Sequence, residues 1–447
     1  MSKPRDPQII LETLLAAARK EGADAADALL VENVSASVSY RLGKLEDVER
    51  SESADLGLRV FVGNRVAFVS SGDFSDDAIK ALPARALAMA RLAPEDKFAG
   101  LAPTELLARV IPTLDLEDPH EPPAEILVER AREAEQAGLD VSGVTNSEGG
   151  GASFSRSAVA LATSAGFFGR YAGTSHSIGV AVLAGEGTGM ERDYDHASAR
   201  HAGDLESAAA IGRSAGERAV RRLAPRKVKS QNVPVVFDPR ESGGLLGHLA
   251  GAISGSSVAR GTSFLKDRMG TAIFAPHVTI IDDPHRLRGL RSKPFDGEGV
   301  ANRRRALIDK GTLTTWLLDC ASAKQLGLTT TGHAARGTGG PPMPSSTNLY
   351  MEAGALSVKE LIGDIKQGFY VTELMGMGVN GVTGDYSRGA AGFWIENGEI
   401  AFPVSEVTIA GNLKDMFLHL TPASDLEFRY GTNAPTCRIE GMTIAGA

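Results

Sequence analysis

Residues 243–255 read GGLLGHLAGAISG, a glycine-rich apolar stretch that contains one histidine, His248. A zinc protease helix of the H-E-x-x-H type carries two histidines on one face and a glutamate that activates the bound water. Here Leu249 follows His248 directly, and Ala252 and Ile253 come four and five positions later. None of these three side chains can bind a metal. The spacing therefore favours a packing helix with a single imidazole over a metal site.

The segment DYDHASARHAG contains a second set of possible ligands. His196 and His201, with Asp193 and Asp195 beside them, have side chains that can hold a transition metal. The segment also has the pattern of an exposed loop or an edge strand, where solvated carboxylates and imidazoles are common. We therefore favour an exposed loop or an edge strand without a metal.

A third candidate is the run TGDYSRGAAGFWIENGEI, in which Asp385, Tyr386 and Arg388 lie between glycines just before a predicted hairpin. Polar side chains on a rigid β scaffold are good candidates for binding. Alternatively, Asp385 caps a turn and Arg388 is merely solvated. Composition leaves both interpretations open.

Signatures of other enzyme classes are missing from the sequence. There is no phosphate-binding G-x-x-x-x-G-K-[ST] loop, no G-x-S-x-G elbow and no S-x-x-K with its partner motifs. The glycines of MGMGVNGVTG lie among strand-like residues and suit tight turns. Cys437 lies in a strand-like run and is predicted to be a buried thiol. Residues 337–348, GTGGPPMPSSTN, are predicted to form a flexible loop with weak binding potential.

Length and composition indicate a multidomain globular protein. The chain has 447 residues, 43% of them hydrophobic and 23% charged. A formal charge of −8 argues against a nucleic-acid surface. No apolar run approaches the roughly 18 to 20 residues of a membrane span, and the N-terminus lacks a secretory signal pattern. With two cysteines in 447 residues, we expect a cytoplasmic protein that binds neither nucleic acid nor membrane.

The first predicted domain, residues 1–115, has the order helix, strands, helix. Asp6 is a suitable N-cap for the first helix, and Gly22 is a suitable end. Several short antiparallel strands are predicted between residues 26 and 71, including LEDVERSES and the hairpin LGLRVFVGNRVAFVSS. The second helix is predicted to begin at Ser75.

The second predicted domain, residues 116–229, repeats this order. A helix, AEILVERAREAEQAGLD, is predicted to end at Gly138, and strand-like runs extend from Val141 to Asp204. The helix in DLESAAAIGRSAGERAVRRLAP closes the unit. Both closing helices end in the letters LAP, which suggests an internal duplication, although this order can also recur by chance.

The third predicted domain, residues 230–447, is rich in short extended runs separated by glycine. Turns of the type Asp-Lys-Gly at 309–311 and Glu-Asn-Gly at 396–398 are placed as hairpin loops. A few helices are predicted here, including SVKELIGDIKQG. The fold class is therefore α+β, with two helix–strands–helix repeats followed by a β-rich domain.

Several of these motifs resemble those of a known family. GLLGHLAGAISGSSVARGTSFL, PFDGEGV, GLTTTGHA and TGDYSRGAAGFWIENGEI look like motifs of the TldD/PmbA family, on its PmbA (TldE) side. GLRVFVGNRVAFVSSGD and APTCRIEGMTIAG extend the resemblance to nearly the whole chain. The family is historically called modulator of DNA gyrase. The resemblance implies a role in proteolytic maturation of peptides and turnover of small proteins in the bacterial cytoplasm.

The resemblance also implies where a zinc site would lie. In the family, the TldD-type subunit carries H-E-x-x-x-H and a cysteine near the C-terminus, and the PmbA-type subunit pairs with it and lacks these ligands. His248 falls at the first histidine, Leu249 at the glutamate and Ile253 at the second histidine. TPASDLEFRYGTN has no cysteine, and Cys437 comes after the expected position. The resemblance implies no metal or cofactor in this chain, with zinc in its partner.

Three hypotheses follow, and the sequence leaves open whether the chain is itself an enzyme. The leading one is a non-catalytic subunit of a TldD/TldE metallopeptidase, a heterodimer or a homodimer when alone, which presents His333, Asp385, Tyr386 and Arg388 to an unfolded peptide. The second is a stand-alone hydrolase that uses Asp385, Arg388, His333 and His248. The third is a binding protein that modulates gyrase or another partner.

Overall fold

The structure is a computed structural model that describes residues 6–446, and its fold is α+β. Its α-helices are α1 (Pro7–Glu21), α2 (Asp76–Leu92), α3 (Ala124–Leu139), α4 (Ala208–Arg221), α5 (Pro239–Ala252), α6 (Gly255–Ala259), α7 (Cys320–Leu326), α8 (Val358–Ile362) and α9 (Leu413–Leu418). No helix in this part of the chain is long and apolar enough to cross a membrane.

The N-terminal half contains six strands, β1 (Ala25–Arg41), β2 (Lys44–Val62), β3 (Arg65–Ser71), β4 (Val144–Thr163), β5 (Phe168–Ala184) and β6 (Glu191–Ala199). The C-terminal half contains β7 (Gln231–Phe237), β8 (Ile280–Asp282), β9 (Arg305–Asp309), β10 (Thr312–Leu313), β11 (Ala334–Ala335), β12 (Met343–Pro344), β13 (Leu349–Met351), β14 (Gln367–Met375), β15 (Asp385–Glu396), β16 (Glu399–Asn412), β17 (Leu420–Pro422), β18 (Thr432–Asn433) and β19 (Cys437–Ala445).

Local capping signals place the first helices as predicted. The Asp6 carboxylate accepts a hydrogen bond from the Gln8 backbone N–H, and Gly22 adopts a left-handed conformation with φ of 106° at the end of α1. Ser75 caps α2 by accepting from the Ala78 backbone N–H. Each of these predictions is confirmed.

The prediction of several short strands between residues 26 and 71 is wrong in detail. LEDVERSES and LGLRVFV belong to one strand, β2, which has 19 residues. The change in composition within β2 reflects burial, because its first ten residues are exposed and the following ones enter the core. The hairpin between β2 and β3 is present.

The two predicted repeats form a single sheet with the strand order β3-β2-β1-β4-β5-β6. The units meet where β1 and β4 pair antiparallel from Asp27–Thr163 to Tyr40–Gly150. This arrangement has the symmetry that a duplication predicts, and common origin stays a hypothesis.

The helices cover one face of this sheet. Ala28 of β1 and Ala160 of β4 lie in the core below α1 and α2. Val38 and Ala152, at even-numbered positions of the same strands, lie in the core below α3 and α4. Because alternate strand residues face opposite sides, the odd-numbered positions are left for the other face.

Helix α3 does not end at Gly138, as the sequence suggested, but continues to Leu139. A Cβ atom at Gly138 would lie 3.2 Å from the Gly212 carbonyl oxygen of α4. The glycine therefore permits close packing of two helices and does not mark a helix end.

The C-terminal domain is built from a six-stranded sheet, β16-β15-β14-β7-β19-β17, and a five-stranded sheet, β10-β9-β8-β13-β18. The hairpin turns expected at 309–311 and 396–398 are confirmed, with left-handed backbone at Lys310 and Asn397. Phe295 of this domain packs on Leu29 and Leu161, on the sheet face opposite the helices.

Residues 337–348 are held more firmly than a flexible loop. The Thr338 hydroxyl donates to Asp55 of β2. At the other end, the Thr347 backbone N–H and hydroxyl both donate to Asp282, at 2.6 Å each. This segment therefore connects the two halves of the molecule.

Candidate functional site

The glycine-rich stretch around His248 forms the greater part of helix α5. Asp238 caps the helix by accepting from the Arg240 backbone N–H, and Pro239 occupies the first position. One side of the helix is buried in the main core of the domain, through Leu245, Leu246, Leu249 and Ala252. His248 is half-buried on the remaining side.

Strand β15 supplies the other half of the site. Tyr386 and Arg388 are alternate residues of β15 and so point to the same face of the sheet. The ring centroids of His248 and Tyr386 are 5.9 Å apart, with the ring planes at 81°. An edge-to-face pair of this kind is a favourable aromatic contact. The fold thus brings together His248 and Tyr386, which belong to motifs far apart in the sequence.

Tyr386 contributes a buried hydroxyl to this contact. The residue is 2% exposed, and its Oη has no hydrogen-bond partner in residues 6–446. An unpaired buried hydroxyl costs roughly 1 to 3 kcal/mol, which is unusual in a packed core. Tyr386 thus retains an unused donor beside His248.

Arg388 and Asp385 are each fixed by local contacts. Arg388 Nε donates to the Met375 carbonyl oxygen at 3.1 Å. The Asp385 carboxylate accepts from the Thr383 hydroxyl at 2.6 Å and from Asn412 Nδ2 at 3.0 Å. These hydrogen bonds lower the pKa of Asp385. Asp385 therefore stabilises the turn before β15 through two side chains, and in the described chain it does not cap the backbone as one interpretation of the sequence proposed.

Glu241 completes the cluster from one end of α5. It lies seven positions before His248, two helical turns along the same face. Burial raises its pKa to about 7, despite the attraction of Arg240. Burial also lowers the pKa of His248, and the positive charge of Arg388 lowers it further. At neutral pH the site therefore contains a neutral imidazole, a phenol, a guanidinium and a carboxyl group that is about half-ionised.

Three family models match this chain, the PmbA/TldA metallopeptidase domain 1 over residues 26–90, the central domain over 117–223 and the C-terminal domain over 230–446. The chain is 42% identical to metalloprotease PmbA of Escherichia coli O157:H7 over 434 residues, which cover 97% of this chain and 94% of that protein. The chain belongs to the PmbA/TldD metallopeptidase family. This confirms the resemblance seen in its motifs.

Other members of the PmbA/TldD family agree with this result. A metalloprotease PmbA homolog of Haemophilus influenzae is 37% identical, over 92% of this chain and 90% of its own length. A solved structure from Bacteroides thetaiotaomicron that carries the name modulator of DNA gyrase has a TM-score of 0.90 and 27% identity, covering 98% of this chain and 99% of its own. TldE from Thermococcus kodakarensis has the same fold, with a TM-score of 0.84 at 22% identity.

The zinc positions implied by the PmbA/TldD resemblance do not fit a metal. Leu249 and Ile253 both have exposures of 0% and lie in the main core, so neither offers a ligand atom. Within residues 6–446 no three His, Cys, Asp or Glu side chains are grouped so that they could hold a metal ion. His248 is therefore a single imidazole without the base or second histidine of the zinc signature.

His333 lies apart from this cluster. It is 2% exposed, with Nδ1 bonded to the Thr331 hydroxyl at 2.8 Å and Nε2 to Asp282 at 3.2 Å. Both ring nitrogens are thus used within the C-terminal domain. The structure brings His248, Tyr386 and Arg388 together and leaves His333 in the interior.

His196 and His201 do not form a joint site with the neighbouring aspartates. His196 stacks near Tyr430, with ring centroids 5.0 Å apart. Asp193 and His196 are three positions apart on edge strand β6, so they point to opposite faces. His201 follows the strand, and its Nε2 lies 3.1 Å from the Asp115 carbonyl oxygen.

Cys437 is a buried thiol, as its strand-like surroundings predicted. It lies in β19 with an exposure of 0%, and its Sγ donates to the Pro435 carbonyl oxygen at 3.3 Å. Burial raises its pKa to about 12. A thiol with this pKa is not a nucleophile at neutral pH.

Sequence reasoning missed Glu241, although a usable signal exists. Once residues 239–252 are assigned to a helix, the spacing from Glu241 to His248 places both side chains on one face. The spacing does not show that Glu241 is buried, and it is this burial that raises its pKa.

Proposed function

We propose that this chain is a non-catalytic, PmbA-type subunit of a cytoplasmic zinc metallopeptidase complex that degrades or matures unfolded peptides. The observation that carries the proposal is the filling of positions 249 and 253 by buried apolar side chains beside a single His248. A water bound to one histidine, with no adjacent carboxylate at the glutamate position, cannot be activated as in a zinc peptidase. The zinc and its ligands belong to a TldD-type partner.

The contribution of this chain is to hold the peptide and to support the partner. His248 and Arg388 offer a neutral imidazole and a cation on a rigid helix–strand support, and the buried ring of Tyr386 orients the imidazole. Such groups can bond backbone carbonyls or a carboxylate of an extended peptide. Asp385 stabilises the turn that begins β15, so its role is to position this surface.

The proposal is tested with the purified chain, a TldD-type chain bearing H-E-x-x-x-H, and their mixture. We expect stoichiometric zinc in the partner and none in this chain by elemental analysis, and cleavage of an unfolded peptide only in the mixture. Replacement of the partner's signature glutamate should abolish cleavage, while H248Q in this chain should leave the zinc content unchanged. Stoichiometric zinc and peptide cleavage by this chain alone would overturn the proposal.

A stand-alone hydrolase is the second candidate, favoured by one observation. The Glu241 carboxyl has a pKa of about 7, and the imidazole of His248 two helical turns away is neutral, so each group can exchange a proton with a bound substrate near neutral pH. If this were the function, the isolated chain would cleave a substrate with a rate that E241Q and H248Q each reduce by orders of magnitude. Loss of activity on removing the partner, with E241Q still active in the mixture, would exclude it.

A further inference from the structure

A cleft between the N-terminal sheet and the C-terminal domain is lined by cations and hydroxyl groups. Its volume is about 320 Å³. Strands β4 and β5 supply one wall, on the sheet face opposite the helices, and segments after Gly289 supply the other. The polar side chains that line the cleft include Ser157, Tyr171, Arg200, Arg291, Lys293 and Ser345. No Asp or Glu of residues 6–446 lines this cationic cleft.

Arg200 is held in the cleft by neutral groups only. Its Nε donates to the Gly289 carbonyl oxygen at 3.2 Å, its Nη1 to the Thr174 carbonyl oxygen at 2.9 Å and its Nη2 to the Leu290 carbonyl oxygen at 2.5 Å. These three bonds fix the guanidinium plane but leave its charge uncompensated and two of its five N–H groups free. Burial lowers the pKa of Arg200, as expected for a cation without a counterion.

Lys293 and Arg291 add two further positive charges to the same cleft. Lys293 Nζ donates to the Ala334 carbonyl oxygen at 3.3 Å, which again supplies no negative charge. Burial lowers the Lys293 pKa, although the charges of Asp296 and Asp282, which both lie outside the cleft lining, act to raise it. Arg291 is exposed and forms no ion pair with a carboxylate in the described chain.

Three cations that share a partly buried cleft repel one another, and buried charges in proteins are normally paired. An anion in the cleft would remove this repulsion and use the remaining N–H groups. The planar fork of an arginine matches the two oxygens of a carboxylate or a phosphate. Ser157 supplies a neutral hydroxyl donor beside the cations.

We propose that the cationic cleft binds a compact oxyanion, a phosphate or a carboxylate group carried by a small ligand. This site is separate from the cluster of His248 and Tyr386, none of whose residues lines the cleft. The proposal concerns binding only, so it does not depend on whether the chain is a catalytic subunit.

Isothermal titration of the full chain tests the proposal at a constant ionic strength set with chloride. The probes are inorganic phosphate, an N-acetylated tripeptide with a free carboxylate, and the same tripeptide as its amide. We expect saturable binding of phosphate, of the tripeptide acid or of both, and none of the amide. The probe that binds identifies the source of the oxyanion. The absence of binding by both phosphate and the acid, or equal binding of acid and amide, would overturn the proposal.

Variants connect the binding to the cleft. R291Q removes an exposed cation and should weaken binding by at least about tenfold, since hydrogen bonds between a cation and an oxyanion are stronger than those between neutral groups. R303Q, at another exposed arginine, removes the same charge outside the cleft and should bind like the wild type. Equal thermal midpoints of both variants show that the fold is intact. Unchanged affinity in R291Q would place the ligand elsewhere.

Discussion

The imidazole of His248 stands edge-on to the phenol ring of Tyr386, with 5.9 Å between the ring centroids, and the Tyr386 hydroxyl is buried without a hydrogen-bond partner in the described chain. The contact joins helix α5 to strand β15. This aromatic contact orients the imidazole of His248.

The unused hydroxyl of Tyr386 gives the first prediction. Y386F removes a buried group that has no partner, so the free energy of unfolding should stay the same or rise by up to about 1 kcal/mol. Y386A, by contrast, should cost about 3 to 5 kcal/mol because it empties the ring position. Urea unfolding of both variants measures these changes. A loss of more than about 1.5 kcal/mol in Y386F would mean that the hydroxyl is bonded in the folded chain.

Glu241 gives a prediction about pH. Its folded pKa is about 7, above its ordinary value of 4.5, because it is buried. Between these values the folded state binds more protons than the unfolded state, so this group lowers the free energy of unfolding as the pH rises. E241Q removes the effect, while His248 stays in both proteins. Relative to the wild type, E241Q should therefore gain stability between about pH 5 and about pH 8, measured by urea midpoints. A parallel pH dependence of the two proteins would contradict the buried carboxyl.

Leu249 tests whether apolar packing holds helix α5 in place. L249A should cost about 2 to 5 kcal/mol, because the side chain is fully buried in the main core. L249M keeps the volume and should cost less than about 1.5 kcal/mol. Urea unfolding with and without EDTA measures both, and the chelator should change neither value. A destabilisation by EDTA in the wild type would show that a metal contributes.

Asp27 connects the N-terminal sheet with the C-terminal domain. Its carboxylate accepts from Arg59 Nε at 2.8 Å and from Arg336 Nη1 at 2.6 Å, and all three side chains are buried. D27N removes the anion that two buried guanidinium groups share, leaving Arg59 only Glu298 at 3.7 Å, and should cost about 3 to 5 kcal/mol of unfolding free energy.

The matched control for D27N is E148Q, which breaks the exposed ion pair of Glu148 with Arg192. Exposed pairs contribute little, so E148Q should change the unfolding free energy by less than about 1 kcal/mol. Both variants are compared by urea unfolding under the same conditions. Equal effects would mean that the Asp27 cluster does not hold the two halves together.

Features that depend on neighbours in sequence could be predicted from the residues. Asp6, Ser75 and Gly22 act on backbone groups within a few positions, so their types were enough to place the ends of α1 and α2. The hairpin turns near Lys310 and Asn397 follow from local backbone preference in the same way. Gly138 gave a wrong prediction of the end of α3, because this glycine permits a tertiary contact, the close approach of α4.

The sequence by itself also determined what His248 cannot do, because the atoms at positions 249 and 253 are apolar in any fold. Only the tertiary structure decided what His248 does contact. The position of strand β15 beside helix α5 brings Tyr386 next to His248. Burial raises the pKa of Glu241. His333 lies in the interior, where its Nε2 contacts Asp282. The physical reason is that identity fixes the chemistry of a side chain, whereas its partners and its solvation depend on contacts between segments far apart in the chain.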